Sequence, residues 1–308
     1  MRCAGVVSGL VLALVGGAAA ASAPLPSEGI AVDRGHGVEL RALDGQLLQR
    51  LRRFRLDDAV VAVPGVVRMR DAHGRAWIVG GGLGLRRAGP ATPLAAGATL
   101  LVERGRWSVR RLRGERLFFA PLRGGVPVVL PGRDAVSARG FALDLHTGRR
   151  LVLPRDCAAA DRRGARWLLL CGGRAYAPQR LEEWRGSGRR VLASNPFGRG
   201  VGHWVSAALS PDGTRVLAQW SAECEVPVAF LGPTARGRLR AVGAHDRDAP
   251  TSLALGWTHD ARAVVALPEG ACGGAAARPG VYVVGRGAKI ARVAVLRGLR
   301  TRAAFWRP

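Results

Sequence analysis

The sequence predicts an all-β protein, a closed β-propeller of four-stranded blades, with six blades expected and seven allowed. Three observations predict it. The first is self-similarity: from Val205 to Trp220 an apolar strand, a Pro211-Asp212-Gly213 turn and a second apolar strand succeed one another. About 48 residues later, Leu253 to Leu267 repeats the plan, with Asp260 in the place of Asp212. The second is the continuation of each pair into a loop holding a cysteine, a third strand (Pro227 to Leu231, or Gly280 to Val284), a Gly-rich turn and a fourth strand (Arg238 to Val242, or Ala291 to Leu296). Four short strands joined by tight turns make one blade. The third is that Gly29 to Val32 reads as a second strand without a first, and Thr301 to Pro308 as a first strand without its turn. Joining them would close the ring and remove an open sheet edge, with Trp306 beside the strand that starts at Ile30.

The earlier units share the third and fourth strands. Val38 to Leu48 carries an Asp44-Gly45 hairpin signal, Phe141 to Leu153 has the same form around Thr147-Gly148, and Gly186 to Leu192 is a further example. Val61 to Pro131 is rich in strand signals but has no clear phase. About 285 residues at roughly 40–50 per blade give six or seven blades.

Of 308 residues, 48% are hydrophobic, enough for a sizeable core and too many for a disordered chain. Arg2 precedes an apolar stretch, Val6 to Val15, and a small-residue run, Gly16 to Ala23. This is the pattern of a secretory signal cut at Ala19-Ala20-Ala21, so residues 1–21 are expected to leave and 22–308 to form the propeller. An uncleaved anchor is the alternative, because Ala4 to Ala23 is just long enough to span a bilayer. After it, no uncharged apolar run approaches the ~20 residues of a membrane helix, which excludes a multi-span membrane protein. Both readings place the body of the chain outside the cytoplasm, periplasmic or secreted. Without Cys3, four cysteines remain, Cys157, Cys171, Cys224 and Cys272. An even number in an exported chain reads as two disulfides, with three possible connectivities.

Ser210-Pro211-Asp212-Gly213, followed by Arg215-Val216-Leu217, resembles the repeat of TolB-like propellers, in which an Asp in the first turn precedes a buried strand. The specific likeness covers the last third of the chain; the unit at Trp257 has His259-Asp260-Ala261 in that turn, and the rest agrees by period. TolB also carries an α/β domain before its propeller, for which this chain has no room, so the resemblance implies the fold and not TolB's role. The hydrolase domain that accompanies the same repeat in the prolyl oligopeptidase group is not expected either.

A propeller sorts its loops. Turns between strands one and two, and three and four, share one face; the two-to-three and four-to-one loops share the other. The first face receives Arg149, Arg150, Arg189, Arg190, Arg236, Arg238, Arg286 and Lys289. The second receives Asp33, His36, His203, Trp204, Glu223, Glu225, His245, Asp246, Asp248 and Glu269, diluted by Arg34, Arg199, Arg247 and Arg278. A charge-polarised disc is expected. Cys224 and Cys272 occupy equivalent loops of neighbouring blades, and Cys157 and Cys171 flank a polar stretch, Ala158 to Ala165, read as a loop between blades. The expected bridges are therefore Cys157–Cys171 and Cys224–Cys272, against four free thiols.

No catalytic apparatus is legible. Gly186-Ser187-Gly188 is a hairpin turn and not a nucleophile elbow, there is no H-E-x-x-H, and Gly80 to Gly84 opens no phosphate-binding helix. Asp57-Asp58 and Glu182-Glu183 are adjacent, so on strands they point to opposite faces. The candidate ligand-binding set is Asp33, His36, His203, Trp204, Glu223, Glu225 and Glu269; no metal or cofactor is implied. Trp204 could stack on a sugar or peptide, though a strand-entry Trp is usually core. The formal charge is +25, from 47 Lys+Arg against 22 Asp+Glu, and Lys289 is the only lysine. Scattered arginines in an exported chain argue against specific nucleic-acid recognition and for salt-dependent attraction to anionic envelope polymers. The expected function is a monomeric, non-catalytic binding or scaffold module for a protein or an anionic envelope polymer. The alternative is a hydrolase or lyase with its site at the channel mouth, around His203, Glu223 and Glu225.

Overall fold

A computed structural model of the chain describes residues 25–57, 64–80, 84–89, 91–111, 114–121, 127–138, 140–154, 156–172, 179–197, 202–222, 227–235, 238–242, 251–269, 278–285, 290–296 and 302–307. Among these there is no helix, and twenty-eight strands form seven antiparallel sheets of four. The ring has seven blades, the larger of the two allowed numbers.

Blade 1 contains β1 (Gly29–Asp33), β2 (Gly37–Arg41) and β3 (Leu47–Arg52). Blade 2 is β4 (Arg55–Leu56), β5 (Val66–Arg70), β6 (Ala76–Gly80) and β7 (Arg86–Arg87). Blade 3 is β8 (Ala91–Pro93), β9 (Ala98–Glu103), β10 (Arg106–Arg111) and β11 (Arg116–Pro121). Blade 4 is β12 (Val128–Val129), β13 (Ala135–Ala138), β14 (Phe141–Asp144) and β15 (Arg150–Val152). Blade 5 is β16 (Cys157–Arg163), β17 (Arg166–Cys171), β18 (Arg180–Arg185) and β19 (Gly188–Ala193). Blade 6 is β20 (Gly202–Leu209), β21 (Arg215–Ala222), β22 (Pro227–Pro233) and β23 (Arg240–Ala241). Blade 7 is β24 (Leu253–Trp257), β25 (Ala263–Leu267), β26 (Gly280–Val284) and β27 (Ile290–Val295), and β28 (Arg302–Trp306) returns to blade 1. The unphased stretch from Val61 to Pro131 holds most of blades 2 and 3. Three of their four end strands, β4, β7 and β8, shrink to two or three residues, too short to display an alternating pattern.

The ring closes as the termini predict. β28 is the innermost strand of blade 1, antiparallel to β1, with Gly29 opposite Trp306 and Ile30 opposite Phe305. Trp306 is 1% exposed, and its indole N–H donates to the Pro26 carbonyl at 3.2 Å. Two glycines make room for the ring: a Cβ on Gly29 would collide with the indole, and one on Gly80 would lie 2.7 Å from the Trp306 Cβ.

The core is a circle of wedges. Six apolar clusters each straddle neighbouring blades; one joins Leu100, Trp107 and Phe118 of blade 3 to Val136 and Leu143 of blade 4, and another joins Val264 and Val281 of blade 7 to Ile30 and Phe305 of blade 1. The repeated first turn is seen directly. The Ser210 hydroxyl donates to Asp212 and the Thr258 hydroxyl to Asp260, and Ala261 (φ 62°) takes the left-handed conformation that Gly213 takes (φ 67°). The Cys157–Cys171 bridge is present, with the two residues directly opposite each other on β16 and β17. The intervening stretch from Ala158 is strand β16, and not a loop between blades. Cys224, Cys272 and the leader lie outside the described residues.

Truncation of Trp306 to Ala should cost about 3–5 kcal/mol, because a rigid site between two glycine backbones cannot collapse around the cavity. Urea denaturation measures this. The double variant Cys157→Ser, Cys171→Ser should lose about 3 kcal/mol in the same assay.

Candidate functional site

The first strand of each blade has a ladder partner on one side only, and its other edge faces the channel. Buried N–H groups there need acceptors from elsewhere. Neighbouring blades supply them. Asp33 on β1 accepts the Leu56 N–H of blade 2 at 2.9 Å, and Ser137 on β13 accepts that of Ala159 in blade 5 at 2.8 Å. Asp161 on β16 accepts the Leu209 N–H of blade 6 at 2.6 Å, and Gln219 on β21 accepts that of Ala254 in blade 7 at 2.7 Å.

Asp161 is fully buried at a bulge of β16. Burial pushes its carboxyl up to about 6, despite the Leu209 and Arg162 N–H groups and the charges of Arg163 and Arg307. On the same face, Arg307 crosses the bore. Its guanidinium donates to the carbonyls of Pro131 in blade 4 and Trp257 in blade 7, and its backbone N–H donates to Gly65. Burial, and repulsion from Arg163 and Arg133, hold its pKa below the ordinary arginine value. Glu28 is buried too and accepts the backbone N–H of His259 at 2.7 Å. This polar plug is hidden in the sequence because the stretch containing Asp161 reads as a loop.

Arginines tie the blades outside the bore. Glu183 holds Arg166 and Arg190 at 2.5 Å each; Arg166 reaches the Gly213 carbonyl at 2.8 Å and Arg190 reaches Thr234, both in blade 6. Glu182, on the opposite face of β18 as expected, pairs with Arg180 and Arg189 at 2.9 and 2.6 Å, and Arg189 lies against both bridged sulfurs. Arg34 pairs with Glu39 and donates to the Val295 carbonyl of blade 7 at 2.6 Å. Arg162 of blade 5 pairs with Asp144 of blade 4 at 2.8 Å. Burial raises the Asp144 carboxyl, but the Arg162 and Thr147 hydrogen bonds outweigh it and hold the value at about 2.

Of the candidate ligand set, Asp33, His36, His203, Trp204 and Glu269 fall among the described residues. Asp33 is buried, and both its oxygens accept backbone N–H groups, from Gly35 at 2.7 Å and from Leu56. His36 is exposed in the β1–β2 turn, His203 is half-buried on β20, and Glu269 is exposed after β25. Trp204 is core, 1% exposed, with its ring centroid 5.1 Å from Trp220 and 5.5 Å from Phe230. Glu223, Glu225, His245, Asp246 and Asp248 lie outside the described residues, as do Arg199, Arg236, Arg247, Arg286 and Lys289. The described part of the second face is mixed in sign rather than acidic, since exposed Arg53, Arg104, Arg180 and Arg278 accompany Glu103, Asp156 and Glu269. Among the described residues, no three His, Cys, Asp or Glu side chains are grouped to hold a metal ion.

No family model matches the chain, and no curated protein matches it. Solved propellers do. TolB from Acinetobacter baumannii is 13% identical over 66% of this chain and 56% of its own, with a TM-score of 0.39. A putative TolB from Agrobacterium tumefaciens is 10% identical over 91% and 98%, with a TM-score of 0.42. Oligogalacturonate lyase from Vibrio parahaemolyticus is 10% identical over 75% and 74%, with a TM-score of 0.43. The likeness to TolB is one of fold; the seven-bladed ring rests on the strand order, and these likenesses carry no activity.

A raised carboxyl binds its proton more tightly in the folded state, so the stability Asp161 contributes is full below its ordinary value of 3.8 and is lost as pH rises through about 6. Asp161→Asn keeps an acceptor for Leu209 and cannot ionise. Between pH 4.5 and pH 8 its stability relative to the parent should therefore improve by about 2–3 kcal/mol, read by urea denaturation at both values. Asp144 has the opposite sign: its contribution is present above 3.8 and lost as pH falls towards about 2.

Proposed function

We propose that this propeller is an exported, monomeric, non-catalytic binding or scaffold module that engages an anionic envelope polymer, with a protein partner as the other possible ligand. The observation that carries this reading is where the charges face. Glu39, Asp57, Asp144, Glu182 and Glu183 are each engaged by arginines of the molecule itself. Every one of the seven outermost strands holds at least one arginine, from Arg52 on β3 and Arg86 on β7 to Arg292 on β27, those of β19 being the partners of Glu182 and Glu183. The rim of the disc is therefore cationic, and a flexible polyanion can track it without a shaped pocket.

Export is part of the proposal. It is supported by the n-region and apolar stretch after Arg2. The Cys157–Cys171 bridge fits an oxidising compartment, and no helix of the described residues is long and apolar enough to cross a membrane. Among the described residues no observation favours the hydrolase or lyase alternative, of whose residues Glu223 and Glu225 lie outside them.

The chain lacking residues 1–21 should bind immobilised heparin at about 0.05 M salt and elute by about 0.5 M, because screening shortens the reach of exposed charges. Failure to bind at low salt, or retention indifferent to salt, overturns the polyanion reading. It should show no preference among DNA duplexes of different sequence.

A further inference from the structure

A cleft of about 540 Å³ lies where blade 4 meets blade 5, on the face that carries the first and third turns. Its floor is formed by Trp167 and Trp184, directly opposite each other on β17 and β18 and each half-buried. Their setting is unusual for this chain. Trp107, Trp204, Trp220, Trp257 and Trp306 are fully buried, and half-buried Trp77 donates its indole N–H to Asp71 at 3.1 Å. The N–H groups of Trp167 and Trp184 have no hydrogen-bond partner among the described residues.

Two arginines, Arg149 and Arg162, line the walls with one carboxylate, Asp144. Arg162 is fixed by its 2.8 Å pair with Asp144 and sits 5.0 Å over the Trp167 ring, and Arg149 is exposed. Arg150 borders the cleft with its guanidinium stacked on Phe118 and Phe141 towards blade 3. Asp144 is held ionised by these contacts, so the cleft keeps a surplus of positive charge. Its margins are open because Gly164 and Gly186, both at positive φ, carry no side chain over the floor.

These groups together select a chemistry. Indole faces favour the C–H face of a sugar ring, and free indole N–H groups donate to ring or hydroxyl oxygens. Guanidinium forks match carboxylate or sulfate in pairs. The Asp144 carboxylate and the Thr147 hydroxyl accept from sugar hydroxyls and stand against a closely spaced polyphosphate. We propose that the cleft between blades 4 and 5 is a subsite for one acidic sugar residue of a carboxylated or sulfated glycan. This rests on the polyanion reading and narrows its ligand to an acidic glycan.

The test titrates the full propeller, at 0.15 M salt, with a uronate tetrasaccharide, cellotetraose and tetraphosphate, by calorimetry and by acrylamide quenching of tryptophan. The uronate should bind at least about tenfold more tightly than either control and should shield tryptophan from acrylamide. Trp184→Phe, which keeps an aromatic on the floor, should diminish that shielding. Arg149→Glu should weaken uronate binding about tenfold with the melting temperature unchanged. A sulfated tetrasaccharide that binds equally makes the anion generic, and one that binds less makes it a carboxylate; either supports the subsite. Equal binding of cellotetraose, tighter binding of tetraphosphate, or uronate binding indifferent to both variants overturns it. If the uronate does not bind while heparin still retains the protein in a salt-dependent way, the subsite falls and the polyanion reading stands. If neither binds, both fall.

Discussion

A ring of blades leaves the inner edge of each first strand without a ladder, and that edge lies inside the molecule. The cost of an unpaired buried N–H, about 1–3 kcal/mol each, is the constraint around which this fold is arranged. Asp33, Ser137, Asp161 and Gln219 meet it by reaching from one blade to the first strand of the next. A polar side chain in such a place does two things at once: it satisfies the edge and sets the angle between blades. The apolar wedges then supply most of the adhesion, and the polar contacts decide the register in which they meet.

Arginine extends the same logic to the outside. Its planar fork can hold a carboxylate with one side and a carbonyl of the next blade with the other, as Arg166 and Arg34 do. A lysine has no second arm with which to do this. Many of the 46 arginines are therefore structural, a role that a composition argument alone misses. Those on the outermost strands have a further effect, since charge along an exposed edge discourages pairing with another sheet. The cationic rim is thus explained in part by solubility. The proposed affinity for polyanions and resistance to edge-to-edge association would rest on the same side chains.

Much of the fold is legible in the residues. The Pro211-Asp212-Gly213 turn, the Asp44-Gly45 hairpin and the complementary terminal strands report local geometry, which is what a short sequence window encodes. Ala261 shows how far a turn can depart from the pattern when the hydrogen bonds around Thr258 and Asp260 impose the left-handed conformation. The middle blades are harder because two-residue strands such as β4, β7 and β12 have no period to read. Asp161 is misread for a related reason. A charged residue inside Ala158-Ala159-Ala160-Asp161-Arg162-Arg163 marks a loop in most settings, and its real setting depends on a backbone N–H 48 positions away. Trp204 beside His203 is ambiguous in the same way, since only the packing against Trp220 and Phe230 assigns it to the core.

The position of Arg307 shifts where binding is to be sought. Propeller reasoning points first to the channel, but here the bore on the face of the first turns is crossed by a guanidinium bonded to blades 4 and 7. Arg133 and Arg163 stand near it, all against the buried Asp161 and Glu28. A ligand entering there would have to break hydrogen bonds that hold blades 1, 4 and 7 in place. At the boundary of blades 4 and 5 the inter-blade tie, Arg162 to Asp144, lies in the wall of the cleft, and half-buried Trp167 and Trp184 stay open beside it. The cleft over Trp167 and Trp184 is one place where this arrangement leaves room, so in this propeller recognition is expected between blades and not down the axis.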